Sequence, residues 1–182
     1  MSDSREPASA RARHVASGVV IRPIRRDEVP RVWHMLEGLA EWEKMTDILT
    51  GTPAMLEAAL FAPGSTLEAR VAEENGELLG YALFYPAFGS FRAVWRLWLE
   101  DLFVRPEARG RGVGELLLAE MCRIAIERGW FGVDWEVLDW NESALEFYRR
   151  QGAVDLGGGW KRYRLSGEAM RALASRRTVS GA

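Results

Sequence analysis

The residues Arg109-Gly110-Arg111-Gly112-Val113-Gly114 have the types and spacing to hold a phosphate. They follow an apolar, strand-like stretch, Leu97 to Val104, and open a helical pattern with Val113, Leu116, Leu117, Met121 and Ile124 on one face. Glycines in such a turn let the backbone approach a ligand closely. The unbonded N–H groups at the helix start and the positive end of its dipole then favour an anion. Inside the strand stands a second unusual group, the adjacent acids Glu100 and Asp101. Two carboxylates in an apolar strand are costly to bury unpaired, which points to a cleft rather than a core. The alternative for Glu100 is a structural ion pair with Arg96 or Arg105.

The elements that must position these residues follow from periodicity and turn chemistry. Val19 to Arg22 reads as an opening strand stopped by Pro23. Asp27 is the expected N-cap of a helix over Val29–Trp42, with Val32, Met35, Leu36 and Leu39 as its apolar stripe. A second helix over Pro53–Leu60 is capped by Thr52, with proline in its first turn. Glu68 to Glu73 and Leu78 to Tyr85 form a hairpin around Asn75-Gly76. A strand over Trp95–Val104, the glycine turn and a helix to about Arg128 come next, with Gly129 ending the helix. Gly132 to Trp140 is expected as a further strand. Asn141 then caps a short helix through Arg150, closed by Gly152, and Trp160 to Leu165 is a last strand before a helical tail.

A hairpin-rich middle followed by strand–helix–strand crossovers implies an α/β (α+β mixed) fold, with a mostly antiparallel central sheet and helices on both faces. The expected organisation is a disordered extension over residues 1–18, one domain over 19–174 and a flexible tail over 175–182. For the extension, Arg11 and Arg13 among Ser and Ala leave an organellar leader as the alternative, which Asp3 and Glu6 oppose.

At 182 residues, 48% hydrophobic and 27% charged, the chain reads as globular and able to bury a core. A net charge of −2 gives no sign of a nucleic-acid partner, and no apolar run reaches the roughly 20 residues of a bilayer span. Cys122 is the only cysteine, read as a small packing residue, and His14 and His34 lack metal-ligand spacing, so no metal is expected. The eight tryptophans, Trp95, Trp98 and Trp135 among them, read as core and interface filling. A cytoplasmic location follows by default.

Three glycine-rich patterns compete for the phosphate turn. No Lys-Ser or Lys-Thr follows Gly114, so the P-loop pattern fails. The dinucleotide fingerprint fails at Glu115 and in its mid-chain position. The pattern [RQ]-x-x-G-x-[GA] fits Arg109 to Gly114 throughout, and it is the acetyl-CoA turn of the GNAT N-acetyltransferase superfamily. The chain resembles that family from about Val20 to Leu165. Leu99 to Val104, Trp140-Asn141-Glu142, Phe147 to Ala153 and Gly159-Trp160 are similar to the diamine (spermidine/spermine) and thialysine acetyltransferase branch. Leu39 to Met45 resembles that branch's substrate segment, with Trp42 where the branch usually has Tyr, whereas Phe91–Trp98 departs from it.

The resemblance implies the two-splayed-strand GNAT fold, acetyl-CoA as co-substrate, a small-molecule primary amine as acceptor and a homodimer. It places Leu102, Phe103, Val104, Arg109, Gly110, Arg111, Gly112, Val113, Gly114, Glu115, Asn141, Ser143 and Tyr148 against the cofactor. For Arg111 a solvated loop is the alternative, and Asn141 can bond the pantetheine chain, cap its helix or do both. Glu100 takes the role of draining the amine's proton, and Tyr148 that of protonating the leaving thiolate. Trp42, Glu43, Glu100 and Asp101 would form an acidic amine pocket, with Trp42 stacking on a charged end. Asp134 or Glu136 could add a carboxylate from the neighbouring strand. Because strict alternation would turn Glu100 and Asp101 to opposite faces, a β-bulge is expected near them, opening a gap beside the next strand for the pantetheine arm. Transfer is expected to be direct, within a ternary complex. Protein, peptide, antibiotic or amino-acid acceptors remain alternatives, as does a catalytically silent acetyl-CoA-binding module.

Overall fold

The structure, a computed structural model, describes residues 18–157 and 164–174. The described residues form two compact units that divide after Asn141. In the first unit, β1 (Val20–Pro23), β2 (Glu68–Glu74), β3 (Glu77–Gly89), β4 (Val94–Val104) and β5 (Val133–Asp134) make one sheet in the order β1-β2-β3-β4-β5. The first four strands pair antiparallel and β4–β5 is parallel. Asn75 and Gly76 both take left-handed backbone angles, φ 52° and 83°, the tight turn that Asn-Gly suits.

Alternation divides the sheet residues between two helical layers. On one face Ala69, Val71, Tyr81, Leu83 and Phe103 pack with Val29, Val32 and Met35 of α1 (Val29–Trp42) and Leu56 of α2 (Pro53–Phe61). Each fully buried aliphatic chain here contributes about 2 kcal/mol of transfer free energy. The opposite face receives α3 (Val113–Glu127), which buries Val113, Leu117, Leu118, Met121, Ile124 and Ala125. Gly80 permits this contact: a Cβ there would lie 2.5 Å from the Phe103 carbonyl and 3.3 Å from Leu117 Cδ1. Leu118 completes the α3 stripe that the sequence pattern outlined, Leu116 lies at its edge, and Cys122 is exposed rather than packed.

Several boundaries differ from the sequence reading. Thr52 caps α2 as expected, its Oγ1 accepting from Met55 N–H at 3.2 Å. Asp27 does not cap α1. It lies exposed in a 3-10 turn over Arg26–Glu28, because Glu28 is drawn inward instead. The Glu28 carboxylate accepts from Arg22 Nη1 and Nη2 at 2.8 and 2.6 Å, and from the Arg25 backbone N–H at 2.9 Å. These bonds hold its pKa down at about 2. Pro23 is the last residue of β1 rather than a stop beyond it, as an edge strand allows. β3 continues past Tyr85 to Gly89. Its pairing with β2 ends at Phe84, so Pro86 falls where only β4 neighbours it. The strand expected over Gly132–Trp140 shrinks to Val133–Asp134, for a reason that lies in β4 and is given below.

The second unit contains α4 (Glu142–Arg150), followed by Gly152 at φ 86°, and α5 (Gly167–Ala174). Of the expected last strand, 160–163 lie outside the described residues, and Arg164 and Leu165 are irregular. The expected N-terminal extension lies outside them save for Gly18, and the expected tail does so entirely. No helix among the described residues is long and apolar enough to cross a membrane.

Candidate active site

The decisive local event is in β4. Leu83 pairs with Asp101 and Phe84 with Leu99, so Glu100 is an extra residue with no partner on β3. This is the expected bulge. It turns Glu100 to the face that carries Tyr85 and Trp98, themselves a cross-strand pair. Both donate to one oxygen, Glu100 Oε2: Tyr85 Oη at 3.0 Å and Trp98 Nε1 at 2.9 Å. Oε1 takes no donor among the described residues, and Glu100 is exposed. Burial, reinforced by the bond to Glu100, pushes the Tyr85 phenol up to about 12 and keeps it a donor. The ion-pair alternative for Glu100 is not realised. Arg96 lies 3.1 Å from Asp134, and Arg105 pairs with Glu77 and Glu107. Asp134 is thus held by Arg96 rather than added to the acidic group.

The bulge also ends the β4–β5 ladder. Only Leu97–Val133 and Trp98–Asp134 are paired, and the β4 edge from Leu99 to Val104 has no partner strand on that side among the described residues. A bulge twists its strand away from the neighbour, which explains why Trp135 and its successors do not continue the sheet. Among the described residues no strand pairs with Leu102, Phe103 and Val104 from that side, the arrangement that the expected gap requires.

Beside Glu100 lie Asp101 and, from just beyond the C-terminus of α1, Glu43. Neither forms an ion pair among the described residues. Burial first, then the Glu100 and Glu43 carboxylates, push the Asp101 acid up to about 7, and burial raises Glu43 as well. Tyr81, fully buried, lies against Asp101; its hydroxyl closes no hydrogen bond of good geometry, yet it favours the Asp101 anion. Tyr81, Tyr85 and Trp98 carried no sequence signal, because aromatic residues in strands read as core filling. A cleft of about 510 Å³ also opens on the α1 face, lined by Met35, Gly38, Leu78, Phe103, Arg105 and Pro106 among others. It contains none of the acidic group and so is not the catalytic candidate.

In the phosphate turn, Gly110 and Gly112 take φ 74° and 83°. Nothing would crowd a Cβ at Gly110, so the left-handed backbone, not space, calls for glycine there. Gly112 caps α3 without a side chain. The first helix bond is Leu116 N–H to the Gly112 carbonyl at 3.0 Å, leaving the N–H groups of Val113, Gly114 and Glu115 ahead of it. Arg111 is tethered to Glu74, both carboxylate oxygens at 2.7 Å, rather than solvated. Arg109 donates from Nε to the Val104 carbonyl at 3.0 Å and lies 5.0 Å over the Trp42 ring. Trp42 thus carries a cation of the chain itself.

Asn141 closes the first unit, its N–H donating to the Leu138 carbonyl at 2.9 Å. Ser143 and Tyr148 belong to α4 of the second unit, where the Phe147 and Tyr148 rings meet edge-on at 5.0 Å.

Comparison with known proteins identifies the family by a separate route. Residues 33–153 match the model of the acetyltransferase (GNAT) family. A thialysine N-epsilon-acetyltransferase from Sus scrofa is 31% identical over 88% of this chain and 99% of its own length. An L-ornithine N5-acetyltransferase from Arabidopsis thaliana is 38% identical over 52% of this chain and 41% of its own. The solved integron cassette protein VCH_CASS6 from V. cholerae shares 26% identity with a TM-score of 0.69, covering 87% of this chain and 99% of its own. The bulged β4, the parted β5 and the glycine turn thus stand in a member of the GNAT acetyltransferase family.

Proposed function

We propose that this acetyltransferase moves an acetyl group from acetyl-CoA to the primary amine of a small cationic molecule, of the thialysine, diamine or polyamine class. The observation that carries this reading is the cluster of Glu43, Glu100 and Asp101, none with an ion-pair partner among the described residues, grouped at the β4 bulge. Such a group favours an acceptor that brings its own positive charges. The names of the relatives, acting on thialysine and ornithine, agree with that chemistry.

An alkylammonium titrates near pH 10.4, so almost none is nucleophilic at neutral pH. Glu100, with Oε2 fixed by Tyr85 and Trp98, takes the ammonium proton through Oε1 or one water. The freed nitrogen attacks the thioester carbonyl carbon, the carbon–sulfur bond breaks, and the thiolate leaves. Tyr148 supplies the proton to sulfur, and the second proton that the nitrogen sheds on becoming an amide returns to the phenolate directly or through one water, phenols and thiols being close enough in acidity for that exchange. The gap beside Leu102–Val104 takes the pantetheine arm, and the Gly110–Gly114 turn takes the pyrophosphate. Asp101 and Glu43 hold the second charge of the acceptor.

A thiol-release assay with acetyl-CoA against diamines, polyamines, thialysine, lysine, monoamines and peptides tests the reading. Turnover is expected with acceptors carrying a second cation, at least tenfold above monoamines in kcat/KM. Release with peptides alone would replace the acceptor class, and cofactor binding with no release on any amine would make the protein a sensor.

A further inference from the structure

Tyr81 is a buried polar group beside the acidic cluster that the proposed reaction does not use. It is 0% exposed, its ring sits 6.2 Å from that of Phe103, and among the described residues its hydroxyl closes no hydrogen bond of good geometry. Buried hydroxyls are normally satisfied, so an orphan one asks what it is for. The register answers: Tyr81 opposes Phe103 and Leu83 opposes Asp101, which makes Tyr81 the diagonal neighbour of Asp101 on the same face. Aromatic side chains reach across that diagonal.

We propose that Tyr81 is a positioning residue, whose hydroxyl donates to the Asp101 carboxylate and steadies its charged form for an incoming cation. The consequence for substrate rests on reading the cleft as an amine site; the coupling itself does not. The titratable groups acting on Asp101 are Glu100 on its own strand, Glu43 beyond α1 and Tyr81 on β3. Both carboxylates oppose a charge on Asp101, and among the three only Tyr81 offers a donor. Burial and the Asp101 and Glu43 carboxylates raise the Tyr81 phenol, so it keeps its proton while Asp101 loses one. Near neutral pH Asp101 is divided between its two forms, which makes a single donor matter.

Tyr81→Phe keeps the ring and removes only the oxygen. Carboxyl ¹³C NMR of the ligand-free full chain should show the Asp101 midpoint rising by roughly one pH unit in the variant. An unmoved midpoint overturns the proposal, and is the result expected if the hydroxyl is only a packing remnant. In steady-state assays with a diamine, KM at pH 7 should rise about fivefold with kcat little changed, and the difference should vanish by pH 9, where Asp101 is ionised in both proteins. A KM difference that persists at pH 9, or one that survives in an Asp101→Asn background, also overturns it. A shifted midpoint without any diamine turnover upholds the coupling and removes the amine reading instead.

Discussion

The two ends of α1 hold carboxyl groups withdrawn from water, and the two behave oppositely. Before the helix, Glu28 is 2% exposed and held by Arg22 and Arg25, which lower its pKa to about 2; Arg22 is also bonded to Glu73. After the helix, Asp101 meets Glu43 and Glu100, and its pKa climbs to about 7. Burial acts in the same direction on both, against the charged form. The partners decide the sign. At the first corner the chain supplies its own counterions, and the corner is finished when the chain folds. At the second the chain supplies more negative charge, and a counterion has to come from outside. That difference separates a structural carboxylate from one available for binding.

Removing a carboxylate should therefore cost stability at one corner and function at the other. The largest effect is expected from Glu28→Ala, which leaves the Arg22 and Arg25 guanidiniums without their inner partner and the Arg25 N–H uncapped. Loss of about 3–5 kcal/mol in urea unfolding at pH 7 is expected. Since the folded pKa lies below the ordinary 4.5, the stabilisation is fully present above that pH and is lost as pH falls toward 2. The gap between parent and variant should close over that window. A gap that is small, or the same at pH 3 and pH 7, would break the contrast.

Glu100→Gln comes next. Glutamine keeps an oxygen for Tyr85 and Trp98 but cannot take a proton. kcat/KM should fall about 10²-fold, near 2.7 kcal/mol of transition-state stabilisation, while urea unfolding stays within about 1 kcal/mol of the parent. Retained turnover would pass the base role to another group; a large stability loss would place Glu100 with Glu28 as structural.

What could be read ahead of the structure was whatever depends on neighbours in sequence. The Thr52 cap, the Asn75-Gly76 turn and the glycine turn are local, and each formed as its residues require. The bulge was legible because two adjacent acids conflict with alternation inside an apolar strand. Glu28 was not legible: by sequence it is one of several surface-type acids at a helix start, and Arg22 and Glu73 define it from other strands. Arg111 behaves likewise, since its partner Glu74 is 37 positions away. The overlong strand expected over Gly132–Trp140 failed for a related reason. Its residues suit a strand, but the edge they would pair with is twisted away by Glu100.

Asp101→Asn carries the smallest effect and the most discriminating sign. A raised carboxyl pKa means the folded state binds a proton that the unfolded state releases. Its penalty is absent below the ordinary 3.8, grows as pH rises toward 7, and is complete above that. Asparagine does not ionise, so the variant should be more stable than the parent by about 1–3 kcal/mol at pH 8 and nearly equal to it at pH 4. Alongside this gain, KM for a doubly charged amine should rise several-fold. Thermal unfolding at the two pH values, read against KM, separates the cases. A variant that loses stability at pH 8 would mean Asp101 has a hidden partner and is a second Glu28. A gain in stability with unchanged KM would mean that the acceptor's second charge is held elsewhere, leaving Glu43 to carry it.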